Sequence, residues 1–370
     1  MAAEPKIRVL VVDDSAIIRS LLRNGLAQHP RIEVVGTAAD GIEALAQIRA
    51  LRPDVVTLDV EMPRLNGLGV LERVVGKVPV SFVMVSTLTQ SGAQITFEAL
   101  DKGAVDYIAK PQAGGISALP EFRQQLVHKV LAAARVKNRP RPAKTARSRT
   151  IPMLPPSQAR GWVVAIGISC GGPQTLHEML PAFPSGFVPI VLTQHMPAQF
   201  TGPFAKHLDA ACAMNVREAR DGEPLEQGTI LVAPGDRHLL LVRRGAQVYV
   251  SLDSGPPVSG HRPSVDAMFK SVAKACGPRA VGVIMTGMGR DGAEGIVALA
   301  DAGAHTIAQD AETSYVYGMP KAAAETGRVD YIVPLSKIPA TVARLIETAE
   351  EKDKCAGTAS QRVAPGGRLG

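Results

Sequence analysis

The stretch Trp162-Val-Val-Ala-Ile-Gly167-Ile-Ser169-Cys170-Gly-Gly172-Pro173 decides how the chain folds. Its apolar start, rich in β-branched residues and bounded by glycine, reads as a buried strand. The glycines permit a tight turn, and the proline suits the first turn of a following helix, where its missing N–H is not needed. Strand, turn and helix in that order form the repeating unit of a parallel α/β sheet. Two further runs, Val188-Pro-Ile-Val-Leu-Thr193 and Ala280-Val-Gly-Val-Ile-Met-Thr286, end just before His195 and Asp291. In such sheets ligands bind outside the carboxyl ends of strands, so Ser169, His195 and Asp291 are expected in one crevice.

These three residue types suit nucleophilic hydrolysis. A neutral serine needs a base, and His195 is the best placed of the eight histidines to take its proton. Asp291 can fix the imidazole tautomer and stabilise the imidazolium. At a helix N-terminus, free N–H groups beside Ser169 can stabilise an oxyanion. The glycine spacing departs from the dinucleotide fingerprint, which also needs an acid about 20 residues further on. Gly167-x-Ser169-x-Gly171 fits a nucleophile elbow, but the order Ser, His, Asp differs from the Ser, Asp/Glu, His of α/β-hydrolases.

Working outward, the first third of the chain alternates apolar strands (7–12, 55–58, 82–85 and 105–108) with helical patterns (16–28 and 41–51), which predicts another parallel sheet covered on both faces. Asp13, Asp14, Asp59, Ser86 and Lys110 fall at its strand ends. Crowded carboxylates repel, and a hard cation such as Mg2+ relieves them while keeping positions open for water and phosphate. Asp59 could then attack a phosphoryl donor to form an acyl phosphate, with Lys110 neutralising the added oxygens and Ser86 hydrogen-bonding one of them.

Composition agrees with two soluble domains. The 370 residues carry a formal charge of +7, yet eight cations and no acid lie between Arg135 and Arg160, so the remainder is close to −1. That segment also holds five prolines and few large apolar residues, the composition of a tether too polar to pack. No run approaches the roughly 18 to 20 apolar residues of a membrane span. The N-terminus shows no cleavable secretion signal, and a cytoplasmic protein is expected. The cysteines Cys170, Cys212, Cys276 and Cys355 have no zinc-ligand spacing and are expected to be reduced thiols.

The motifs Leu10-Val-Val-Asp-Asp14, Leu58-Asp-Val-Glu-Met-Pro63, Asn66-Gly67, Met84-Val-Ser86 and Ala109-Lys-Pro111 resemble those of response-regulator receiver domains, over about residues 5 to 130. The resemblance implies that Asp59 accepts phosphate from a histidine kinase. It further implies that Asp13, Asp14, Asp59 and the Glu61 backbone carbonyl hold Mg2+, and that Ser86, Tyr107 and Lys110 form the phosphorylation switch.

From about Gly161 to Ile346 the chain resembles the catalytic domain of the CheB family, the chemotaxis receptor protein-glutamate methylesterases. The matching motifs include Ile166-Gly-Ile-Ser-Cys-Gly-Gly172, Gln194-His-Met-Pro197, Ala233-Pro-Gly-Asp-Arg-His238, Arg262-Pro-Ser-Val-Asp266, Thr286-Gly-Met-Gly-Arg-Asp-Gly292 and Tyr317-Gly-Met-Pro320. This implies Ser169 as nucleophile, His195 as base and acid, Asp291 as orienter and the N–H groups of Cys170 and Met288 as oxyanion donors. Cys170 stands where the family usually has threonine, which also raises the reading of an oxidation-sensitive thiol.

The resemblance thus implies a phosphorylation-regulated serine hydrolase that demethylates glutamate methyl esters on methyl-accepting chemotaxis receptors and deamidates receptor glutamines. A chemotaxis histidine kinase would be its phosphoryl donor, and the unphosphorylated receiver would cover the esterase cleft. The expected architecture is two doubly wound α/β domains, a flavodoxin-like receiver (1–135) and a Rossmann-like methylesterase domain (161–349). A flexible basic linker (136–160) joins them, and a disordered tail (350–370) follows. Mg2+ is expected in the receiver and no cofactor in the esterase domain. A rival is a non-enzymatic response regulator whose second domain binds a partner or nucleic acid. DNA readers need a recognition element and a basic folded face, and neither is evident outside the linker.

Overall fold

Valine and isoleucine crowd the strands β1 (Ile7–Val12), β3 (Val55–Asp59) and β4 (Ser81–Ser86), which are buried almost throughout. The computed structural model describes residues 5–87, 89–111, 119–137, 151 and 161–361. With β2 (Ile32–Ala38) and β5 (Asp106–Ala109) these strands form a parallel sheet in the order β2-β1-β3-β4-β5. Helices α1 (Ala16–Ala27), α2 (Gly41–Leu51), α3 (Gly67–Val74), α4 (Gln90–Asp101) and α5 (Leu119–Lys137) cover both faces. Ser15, Asp40, Asn66 and Thr89 cap the first four of them, each accepting a backbone N–H that the helix leaves unpaired.

The second sheet has seven parallel strands, in the order β14-β13-β12-β6-β7-β9-β8. They are β6 (Val163–Ile168), β7 (Ile190–Gln194), β8 (Asn215–Glu218), β9 (Thr229–Val232), β12 (Ala280–Ile284), β13 (His305–Gln309) and β14 (Tyr331–Val333). The chain enters at the central strand β6, builds one side of the sheet, then crosses to build the other from β12. That reversal beside β6 is the topological switch point at which such sheets place ligands. Helices α6 (Gly172–Met179), α7 (Ala198–Asp209), α8 (Val265–Cys276), α9 (Ala293–Asp301), α10 (Met319–Ala324) and α11 (Ile338–Gln361) pack around it. Both expected parallel-sheet domains are therefore present. An antiparallel ribbon, β10 (His238–Arg244) with β11 (Gln247–Asp253), interrupts the alternation expected here.

The domains share a buried apolar cluster that runs without a break from one sheet to the other. Its bridge is aromatic. Phe97 of α4 stacks on Phe204 of α7, with centroids 5.4 Å apart, and Tyr107 of β5 stacks on Phe200 at 4.7 Å and 12°. The contact between the domains thus has an apolar core.

Two expectations change. Ile151, inside the presumed tether, is buried and donates its N–H to the Ala182 carbonyl at 3.1 Å, so the connection is pinned to the second domain at that point. The rest of 138–160 lies outside the described residues. The tail expected to be disordered from Glu350 is instead helical to Gln361, while 362–370 lie outside the described residues. The reason is local: Glu350 is buried, and its Oε1 accepts the Trp162 indole N–H at 2.8 Å and the Arg279 guanidinium at 3.1 Å. No helix among the described residues is long and apolar enough to cross a membrane.

Replacing Glu350 by alanine leaves the buried Trp162 N–H without an acceptor. The expected cost is about 1–3 kcal/mol, the penalty of an unsatisfied buried polar group. It should appear as a lower urea midpoint with unchanged helical circular dichroism, and an undiminished midpoint would show that α11 does not clamp the domain.

Candidate functional sites

Ser169, His195 and Asp291 follow β6, β7 and β12, three adjacent strands at the middle of the second sheet. Backbone bonds lock their turns together: the Ser169 N–H donates to the Thr286 carbonyl at 2.9 Å and the His195 N–H to the Ile168 carbonyl at 3.2 Å. Glycine is needed between them. Gly171 has φ +73°, and a Cβ at Gly172 would lie 1.8 Å from the Gln194 amide oxygen.

His195 Nε2 meets Asp291 Oδ2 at 2.8 Å. The carboxylate is also cradled by the start of α8. Its oxygens accept Ser264 Oγ–H at 2.8 Å and the N–H groups of Val265 at 2.8 Å and Asp266 at 2.9 Å. Burial pushes the Asp291 carboxyl up. The His195 bond and charge and these N–H groups outweigh burial and bring the group down to about 2. An ionised Asp291 accepts a proton bond, so Nε2 carries the imidazole hydrogen and Nδ1 holds the lone pair. His195 Nδ1 is buried without a hydrogen-bond partner, and no hydrogen bond joins it to Ser169.

Cys170 is buried, and burial raises its thiol above the ordinary value despite the nearby Lys129 charge. A thiol held protonated in this way is a poor nucleophile and oxidises slowly, which counts against the oxidation-sensitive reading.

Sequence reasoning missed His261. Its ring stacks on that of His195 with centroids 3.8 Å apart and a tilt of 14°. Burial, helped by the His195 charge, lowers His261 to about 4, so it stays neutral against the catalytic imidazole. The Ser264 cap was legible only in hindsight, from proline followed by serine ahead of an amphipathic run.

The receiver forms one wall of this site. A cavity of about 600 Å3 is lined by Ser169, His195 and Asp291 on one side and by Tyr107, Gln124 and Lys129 of the receiver on the other. The Asp106 carboxylate reaches the nucleophile turn directly. One oxygen accepts the Gly171 N–H at 3.0 Å, and the other holds Lys129 Nζ at 2.8 Å. Gln174 of α6 donates to the Leu100 carbonyl at 3.2 Å and to the Ala104 carbonyl.

In the receiver, Asp13, Asp14 and Asp59 bring carboxylate oxygens within 4.8 Å of one another. Lys110 Nζ lies 2.9 Å from Asp13 and 2.7 Å from Asp59. Burial, together with the Asp13 charge, pushes Asp59 up to about 6 in spite of Lys110. One ammonium does not neutralise three carboxylates. Asp13 Oδ2 also lacks a well-aligned hydrogen-bond donor, so the donor set fits a hard divalent cation. Asp59 Oδ1 accepts the Glu61 N–H at 3.4 Å. The Ser86 hydroxyl points away, donating to the Gly92 carbonyl at 3.2 Å. Tyr107 is buried toward α7, with Lys129 Nζ 4.9 Å above its ring.

Residues 164–342 match the CheB methylesterase family and residues 9–117 the response regulator receiver domain. A protein-glutamate methylesterase/protein-glutamine glutaminase of Pyrococcus abyssi is 47% identical over 346 residues, covering 92% of this chain and 94% of its own. A Caulobacter vibrioides protein of the same description is 49% identical over 339 residues, covering 90% and 96%. The crystal structure of the Thermotoga maritima CheB methylesterase catalytic domain is 41% identical and covers 51% of this chain and 98% of its own, with a TM-score of 0.49.

The folded chain holds Asp291 at about 2, below the ordinary aspartate value of 3.8. Its contribution to stability is therefore full above that ordinary value and disappears as the pH falls through about 2. The amount is on the order of 2 kcal/mol. The gap in urea midpoint between the wild type and Asp291→Asn should be widest near neutral pH and close toward pH 2. A gap that does not narrow with acid would contradict the depressed carboxyl.

Proposed function

The chain belongs to the CheB methylesterase family and is a protein-glutamate methylesterase/protein-glutamine glutaminase with a receiver domain, a chemotaxis adaptation enzyme, and we propose how its own residues carry that activity. Ser169 is the nucleophile, His195 the base and acid, and Asp291 the orienter. The observation that carries this is the 2.8 Å His195–Asp291 bond, which leaves Nδ1 as the only imidazole nitrogen able to take the serine proton.

Ser169 Oγ loses its proton to His195 Nδ1 as it attacks the γ-carbonyl of a glutamate methyl ester. The oxyanion collects the N–H groups of Cys170 and Met288. Methoxide leaves with the proton that His195 returns, giving methanol and an acyl-serine. Water, deprotonated by the same nitrogen, then releases glutamate and restores the serine. With a glutamine side chain the first leaving group is ammonia and the later steps are unchanged.

The substrate is a side chain on methyl-accepting chemotaxis receptors, and the protein works in the cytoplasm. A helix about 10 Å across needs roughly 400 Å3 per turn, so the cavity has no room for a receptor helix bundle while the receiver forms its far wall. Undocking is therefore part of the cycle. Asp13, Asp14, Asp59 and the Glu61 carbonyl would hold Mg2+, which offsets charge on an incoming phosphoryl group. Asp59 accepts that group from a chemotaxis histidine kinase. Lys110 then turns to the new oxygens, and Ser86 leaves the Gly92 carbonyl for one of them. The first turn of α4 is released, and with it the Phe97 and Tyr107 contacts. Residues 1–135 act as the receiver, 136–160 as the tether and 161 onward as the esterase. A purely non-enzymatic output is inconsistent with the family to which the chain belongs.

Purified Ser169→Ala protein should still take up phosphate on Asp59 from a small phosphoryl donor but release no methanol from methylated receptor membranes; unchanged release would remove the serine from the mechanism. Asp106→Asn gives up a charge-assisted bond to Gly171. Such bonds are worth about 1.5–3 kcal/mol, so the unphosphorylated esterase rate should rise about tenfold or more. A rate equal to that of the wild type would mean that Asp106 does not hold the receiver down.

A further inference from the structure

Away from the esterase cleft, three metal-ligating side chains from both domains converge on one edge of the interface. They are Asp101 at the end of α4, His177 in α6 and His207 near the end of α7, with their ligand atoms all within 4.8 Å of one another. Asp101 Oδ1 lies 3.4 Å from His207 Nε2 and 3.9 Å from His177 Nε2. Neither contact is a good hydrogen bond, since such bonds fall between about 2.7 and 3.2 Å. Both resemble the spacing of ligands that share an ion. With metal–ligand bonds of about 2.0–2.1 Å, a tetrahedral site separates its ligands by about 3.3 Å.

We propose that Asp101, His177 and His207 form an interdomain site for a borderline-soft divalent cation of the Zn2+ class, which staples the receiver to the esterase. The donor chemistry selects the ion: two imidazoles and one carboxylate suit zinc or cobalt, whereas the all-oxygen cluster around Asp59 suits Mg2+. Three protein ligands leave a fourth position for water. His207 is held by stacking on Phe97 at 5.4 Å and 20°, so one ligand is already oriented by the interface core. The site is accessible, because His177 and Asp101 are half exposed and the groove between α4 and α7 opens beside His207. Lys102, next in sequence to Asp101, is turned to Glu72 at 2.8 Å and keeps its charge out of the site. The two imidazoles are now stacked with centroids 5.0 Å apart and a tilt of 21°, and binding requires them to fan open so that both Nε2 lone pairs meet at one centre.

The three ligands come together only when the domains are docked. The ion therefore binds the closed state best, and by linkage it must oppose any event that opens the interface, including phosphorylation of Asp59. That consequence for activity rests on the occlusion proposed above, while the site itself does not.

The test uses the untagged full chain with saturating Mg2+ to fill the Asp13, Asp14 and Asp59 cluster, and Co2+ as the probe. One equivalent of Co2+ should give the intense visible absorption of a tetrahedral or five-coordinate centre, and Zn2+ should displace it. His177→Gln and Asp101→Asn should each weaken Co2+ binding about tenfold or more. His177 is half exposed and outside the esterase machinery, so its replacement leaves the fold intact. Absorption that is absent, or that both variants retain at full affinity, overturns the site. Raising free Zn2+ to about 100 times Kd should slow the unphosphorylated wild-type esterase at least about tenfold, and slow the His177→Gln variant far less. Variant-sensitive Co2+ binding without any change in rate would leave the site standing and overturn the staple.

Discussion

An ionised carboxylate buried at a strand end is tolerable only when donors surround it, and Asp291 meets that condition with four of them. Three come from the first turn of α8, where the helix leaves its N–H groups unpaired and its dipole favours negative charge. The fourth is His195. This one arrangement fixes the tautomer of His195, the ring nitrogen that is left free, and the place where α8 must cross the sheet. The crossing is tight: a Cβ on Gly167 would fall 2.2 Å from Val265. The catalytic geometry and the packing of the domain are thus set by the same few atoms.

The receiver exploits the neighbouring helix terminus. Asp106 reaches Gly171 at the start of α6, while its second oxygen remains tied to Lys129 within its own domain. Tyr107, one residue on, sits in the aromatic bridge between Phe97 and Phe200. Two adjacent side chains of β5 therefore tie the receiver to the second domain, one by charge and one by packing. β5 lies at the sheet edge beside β4, which ends in Ser86, so a single strand separates it from β3, which ends in Asp59.

Much of this was legible in the sequence because it is local. The buried strands announced themselves as apolar runs, the turns by glycine, and the triad by its position after them. β2 was overlooked because it is a half-exposed edge strand whose burial is mixed and which contains Gly36 and Thr37. The β10–β11 ribbon was hidden among runs that resemble buried parallel strands. What could not be read are contacts across long sequence separations. Nothing in Asp106-Tyr107 signals Gly171, nothing near His261 signals His195, and Glu350 is read as a polar tail residue until Trp162 is beside it. The acidic cluster around Asp59 is complete in sequence, but the orientation of Ser86 toward the Gly92 carbonyl of α4 is not legible there.

Glu350 also bears on how the protein is made. The receiver is complete once α5 has been synthesised, whereas the first strand of the esterase domain lacks its clamp until residue 350 has left the ribosome. At elongation rates of about 5–20 residues per second the interval is about 10–40 s. The first strand of the second domain therefore waits for a helix residue 188 positions further on, whereas the receiver sheet needs nothing made after α5.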